Sequence, residues 1–129
     1  MNYIASNSAP ILVASLAGLL IGALYGTAIH RGRVGPINPA MLVAACMAEF
    51  WLACILAGAL ILAPNGAGRW TMAIGSAVVI WIGFVLPTML VSYAFRRLGF
   101  GAIVADALHW LIVMVVQAAV LEAIGLVHP

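Results

Sequence analysis

Apolar residues along this chain neither alternate nor recur once per helical turn; they fill long unbroken runs separated by short polar joints. The runs extend from Ala9 to Ile29, Pro39 to Leu62, Trp70 to Phe95 and Phe100 to Val127. Each reaches the roughly 20 residues that a helix needs to cross the hydrocarbon core of a bilayer. A membrane interior offers no water to backbone N–H and C=O groups, so a spanning segment must be a helix or part of a closed barrel. Barrel strands would alternate apolar and polar positions, and these runs do not. The joints, His30 to Asn38, Ala63 to Arg69 and Arg96 to Gly99, carry turn-forming Gly or Pro, or arginine. Joints this short force neighbouring helices antiparallel. The predicted fold is therefore an all-α membrane protein, a single domain over residues 1–129 with four transmembrane helices in an up-down-up-down antiparallel bundle. Ser8, with Pro10 just inside, is expected to cap the first helix, and Asn38 with Pro39 the second.

Composition removes the soluble alternatives. Of the 129 residues 67% are hydrophobic and 6% charged, against roughly 25% charged in an ordinary soluble domain. The eight Arg, Asp and Glu residues are too few to give every helix a polar outer face. The first run is read as a retained span rather than a secretory signal, because its arginines follow it instead of preceding it. Lysine is absent, and the five arginines all lie in the joints or at their edges. Arg31, Arg33, Arg96 and Arg97 occupy the first and third joints and Arg69 the second, so positive charge places the first and third joints in the cytoplasm and both termini outside. Trp70 then suits an interfacial anchor at the outer start of the third span. The net charge of +2 points to anionic headgroups, not nucleic acid, since no basic stripe with interleaved aromatics occurs.

Packing signals are present. Gly18, Gly22 and Gly26 recur at four-residue spacing on the first helix, with Ala14 on the same line. Small residues at this spacing let helix backbones approach in lipid. The favoured reading seats a neighbouring helix of the same chain there, with a dimer interface as the alternative. Gly75 and Gly83 are expected to serve the third helix likewise. Pro87 lacks a donor for the turn reaching back to Gly83 and is expected to kink that helix.

The chemistry-bearing residues are few. An ionisable side chain within a span costs about 2.5–3.5 kcal/mol on insertion scales and normally faces the bundle interior. Glu49, Asp106 and His109 qualify as an intramembrane polar cluster. Counted from the helix starts, Glu49 and His109 fall at similar depth and are expected to pair, with Asp106 one turn before His109 on the same face. Glu122 and Gln117 lie nearer the outer end of the last helix. The cluster admits three readings: a buried polar clasp that fixes helix register, an ion or proton path, and a ligand or active site. Cys46 and Cys54, eight residues apart on one helix, stand about 12 Å apart at helical rise and cannot form a disulfide. Cys46, Glu49, Asp106 and His109 match no metal-site spacing, so no metal or cofactor is expected. No phosphate loop, nucleophile elbow or HExxH motif occurs.

Trp81, Gly83, Phe84, Val85 and Pro87, then Phe95 and the run from Ile103 to Met114 that contains His109, resemble the DUF1761 family of small bacterial membrane proteins of unassigned function. The resemblance covers roughly the C-terminal half, with an echo at Gly22, Ala23, Leu24 and Tyr25. Members often carry an aromatic Trp-Tyr pair and a Phe-Gly-Lys-type segment after the first helix; here Tyr25 is followed by Gly26 and then His30, Arg31 and Gly32. The resemblance implies four helices in the bacterial inner membrane and no assigned chemistry. The leading functional expectation is a non-enzymatic structural or accessory subunit, within a homo-oligomer or larger membrane complex and surrounded by lipid. A small proton- or ion-coupled transporter using Glu49, Asp106 and His109 is the first alternative, and an enzyme acting on a lipophilic substrate, with Asp106 and His109 as acid and base, the second.

Overall fold

The computed structural model describes residues 2–29, 38–64 and 66–128. Helices account for nearly all of them: α1 (Asn2–Ser6), α2 (Ser8–Ile29), α3 (Pro39–Leu62), α4 (Arg69–Ile80), a π-helical segment (Trp81–Val85), α5 (Leu86–Phe95) and α6 (Phe100–Ile124). Among the described residues four stretches are long and apolar enough to cross a membrane: Ser8–Ala28, Pro39–Leu62, Arg69–Phe95 and Phe100–Ile124. They make this an integral membrane protein of several spans.

Local chemistry sets the start of α3 and the end of α6. Asn38 caps α3 by accepting from the Ala40 N–H at 2.9 Å, and Pro39 fills the first helical position, where its missing donor costs nothing. Ser8, by contrast, caps no helix. The chain is already helical from Asn2, and helical bonds from Asn7 N–H to the Tyr3 carbonyl and from Ile11 N–H to the Asn7 carbonyl carry the winding across. The interruption at Asn7 follows from Pro10, which has no N–H to offer the Ser6 carbonyl. At the other end α6 stops at Ile124, three residues before the expected Val127, because Gly125 takes φ 89° and turns the chain aside.

That turn brings Val127 back onto Asn7. The Asn7 amide donates to the Val127 carbonyl at 3.0 Å and its oxygen accepts the Val127 N–H at 2.7 Å. Asn7 is buried by this two-way contact. Tyr3 adds a second tie, its hydroxyl donating to the Cys54 carbonyl at 3.2 Å and its ring lying over Gly58. Asn7 thus meets the end of α6, while Tyr25, late in α2, meets Asp106, early in α6; the two helices run in opposite directions.

The third span departs from plain α-helix where Pro87 was expected to kink it. The departure lies just upstream, as the π segment, and the Leu86 N–H bonds back five residues to the Trp81 carbonyl. A π turn absorbs the register change that a proline forces on the preceding turn. Thr88 helps by donating its hydroxyl to the Phe84 carbonyl at 2.6 Å.

The bundle is apolar outside as well as inside. Its core is built on Ile11, Leu56, Met114 and Leu121 with the fully buried alanines Ala14, Ala53, Ala57, Ala73, Ala77 and Ala118. Small side chains at helix contacts let backbones approach and gain dispersion, the main attraction between helices in lipid. Outward, α2 presents Leu12, Leu16, Leu20 and Leu24 at four-residue spacing, and every residue of α3 from Pro39 to Ala48 is exposed. Apolar surface this continuous is stable only against hydrocarbon or another apolar protein face.

Candidate functional site

Two polar groups sit within the bundle, at different levels of α6. The first is centred on Asp106. Its carboxylate accepts the Tyr25 hydroxyl from α2 at 2.6 Å on one oxygen and the Tyr93 hydroxyl from α5 at 2.5 Å on the other. Three spans are thereby joined at one side chain. Hydrogen bonds to an ionised acceptor are shorter and stronger than neutral ones, which suits a carboxylate held in this position. The Tyr25 ring stacks on His109, one turn further along α6, with centroids 4.2 Å apart and planes 22° from parallel. Beside them the Trp81 indole donates to the Ala107 carbonyl at 2.8 Å, fixing the π segment against α6.

The second group is deeper. Gln117 donates from Nε2 to the Glu49 carboxylate at 2.7 Å, with a longer 3.4 Å approach to the Glu49 backbone carbonyl. Glu49 is 5% exposed and Gln117 fully buried, so the pair is shut away between α3 and α6. Gly18 of α2 closes the third side. A Cβ at that position would collide with the Glu49 carboxylate and lie 2.7 Å from Gln117 Nε2, so only glycine leaves the space. Gln117 Oε1 is buried and has no hydrogen-bond partner among the described residues. Val113 and Met114, both fully buried on α6, separate this level from the Asp106 level.

The residues expected to form one cluster are therefore divided. Asp106 and His109 are brought to the same tyrosine, Tyr25. Glu49 bonds to Gln117 instead of pairing with His109, eight residues further along α6 and about 12 Å at helical rise. Counting from helix starts assumed that α3 and α6 begin at one level; packing sets their register, and the Gly18 seat holds the carboxylate where Gln117 reaches it. Tyr25, Tyr93 and Gln117 were the site residues that sequence reasoning missed. A phenol near a helix end reads first as an interfacial anchor, and nothing in the local pattern says that two phenols share one carboxylate.

The expected glycine contacts are also revised. Among the described residues, only Gly18 of the set Gly18, Gly22, Gly26, Gly75 and Gly83 has a neighbour within 4 Å of a Cβ position, and Gly58 takes a contact that was not anticipated, against Tyr3. At the opposite end of the bundle from Asp106, Arg69 pairs with Glu122 at 2.7 Å with its own side chain 75% exposed, a pair of small energetic weight. Arg96 and Arg97 are exposed at the end of α5, whereas Arg31 and Arg33 lie outside the described residues. Cys46 is exposed and Cys54 buried, both as free thiols. No three His, Cys, Asp or Glu side chains gather in a metal-binding arrangement among the described residues. Compared with protein-family models, curated proteins and solved structures, the chain matches none.

Proposed function

We propose that the protein is a non-enzymatic, four-span subunit of a bacterial inner membrane, acting through helix contacts with further copies of itself or within a larger membrane complex. The observation that carries this reading is the open glycine face of α2. Among the described residues a Cβ at Gly22 or Gly26 would meet nothing, although Gly18, one turn earlier, is fully used inside the bundle. Gly22 and Gly26 are both half-buried, and glycines four residues apart let a second helix approach to backbone distance. The inward polar side chains support the same reading, because Asn7, Ser15, Glu49 and Gln117 all bond to groups of this chain. Within this proposal the spans run up-down-up-down, the first and third joints face the cytoplasm and both termini face outward. Membership of the DUF1761 family belongs to the same proposal.

The test is native mass analysis of the full chain in mild detergent, alongside Gly22→Leu and Gly26→Leu. The wild type is expected to retain an oligomer that both substitutions weaken. A wild type that is monomeric at every concentration contradicts the proposal.

A second reading, a small proton- or ion-coupled carrier, is favoured by Glu49, a buried carboxylate whose partner is an amide rather than a cation. It predicts flux in proteoliposomes that Glu49→Gln abolishes with the fold intact. Absence of flux in the wild type removes it.

A further inference from the structure

An open apolar groove of about 430 Å³ runs between α3 and the third span. Trp51 and Ile55 line it from α3, Phe84 and Thr88 from the π segment and α5, and Trp110 from α6, with Met89 forming part of its wall. Phe84 is 72% exposed and Trp51 55%, so two aromatic side chains flank the groove without being packed by this chain.

The span that lines the groove ends in basic residues. Phe84, Thr88 and Ser92 follow one another at four-residue spacing on the third span, and Arg96 comes next, at the end of the same span. Arg96 stands eight residues beyond Thr88, about 12 Å at helical rise, which is close to the depth of one leaflet's hydrocarbon. On the other flank, the exposed stretch of α3 from Ala48 back to Pro39 leaves the groove uncovered. Arg97 follows with φ 54°, the left-handed position at which a helix end normally places glycine. The Leu98 N–H bonds to the Tyr93 carbonyl and the Arg97 N–H to the Ala94 carbonyl, so the backbone there is held in a closed C-terminal turn. Two adjacent arginines thus stand at the end of the span that lines the groove, both exposed and with no acidic partner among the described residues.

We propose that this groove and Arg96 and Arg97 form a binding site for one anionic phospholipid, its phosphate on the arginines and an acyl chain along Thr88, Phe84 and Trp51. Charge selects the lipid: a zwitterionic headgroup carries a cation that the arginine pair repels, whereas an anionic one does not. The apolar body of the groove selects a chain rather than a soluble phosphate.

The full chain in mild detergent is mixed with phosphatidylglycerol or with phosphatidylcholine of the same chain length, and retained lipid is counted by native mass spectrometry. Wild type is expected to retain phosphatidylglycerol in preference, with about fivefold weaker retention for each arginine lost, the effect of one basic residue at an anionic surface. R96Q/R97Q is expected to lose the preference and R96K/R97K to keep it, the latter also showing that the site tolerates substitution. Ala48→Trp, which fills the groove from an exposed position and leaves both arginines in place, is expected to lose the retained lipid. Equal retention of the two lipids by wild type overturns the proposal, as does an undiminished preference in R96Q/R97Q. If Ala48→Trp abolishes a dimer and leaves lipid retention unchanged, the groove is an interface between copies and the proposal is likewise overturned.

Discussion

Gln117 of α6 holds the carboxylate of Glu49 on α3 at 2.7 Å, in a space that exists only because residue 18 of α2 is glycine. Three spans thus depend on one another at one level of the bundle. The energetic consequence is specific, because removing one member of a buried polar pair leaves the other desolvated and unbonded, which costs more than the bond itself contributes.

Gly18→Ala is expected to destabilise the bundle by about 1–3 kcal/mol, since the added methyl group must displace the carboxylate or the amide. Gly75→Ala, on α4 with no described residue within reach of the added methyl group, is expected to be neutral or slightly stabilising through helix propensity. Thermal unfolding in a single detergent, monitored by helical circular dichroism, distinguishes the two. Equal effects would show that Gly18 does not face the polar pair.

Gln117→Leu and Glu49→Gln separate the pair. Leucine at position 117 leaves Glu49 buried without its amide donor and is expected to cost about 1–3 kcal/mol. Glutamine at position 49 keeps a hydrogen-bonding side chain and is expected to cost less. The coupling in a double-substitution cycle is expected near the values of about 0.6–1.7 kcal/mol found between transmembrane helices. Strict additivity would show that the two side chains do not interact.

Tyr25→Phe and Tyr93→Phe each remove one phenol from Asp106 and are expected to weaken the arginine-bearing end of the bundle by about 1–2 kcal/mol each. Tyr25→Phe preserves the ring stacked on His109, so Tyr25→Leu is expected to cost more than Tyr25→Phe. Identical stabilities for the two position-25 variants would remove the stacking contact from the account.

Gly125→Ala forces a side chain into φ 89° and is expected to detach the Val127 backbone from Asn7. Hydrogen exchange at Val127 reads this directly. The amide is expected to be protected in the wild type and to exchange faster in both Gly125→Ala and Asn7→Ala, with α3 unaffected.

The large features of the fold were legible because they rest on composition and run length. Four apolar stretches each exceed the bilayer requirement, and Asn38 before Pro39 marks a helix start by a local rule. The one-turn spacing of Asp106 and His109 along a single helix was legible for the same local reason. Interhelix partners were not. Which residue of α6 meets Glu49 depends on how far α6 slides along α3, and that is decided by alanine contacts and the Gly18 seat rather than by any count from helix ends. The helical start of the chain was hidden as well, because Ser8 and Pro10 imitate a cap that Asn2 to Ser6 pre-empt by already being helical.

The central proposal is that these helices cross a bilayer with the first and third joints inside and both termini outside. Single cysteines at Asn2, Arg97 and His128, introduced one at a time into the Cys46→Ala, Cys54→Ala chain, are exposed to a membrane-impermeant maleimide in intact cells. The account predicts labelling at positions 2 and 128 from outside, and labelling at position 97 only after the membrane is opened. Labelling of positions 2 and 128 from opposite sides, or of position 97 from outside with both others protected, contradicts it.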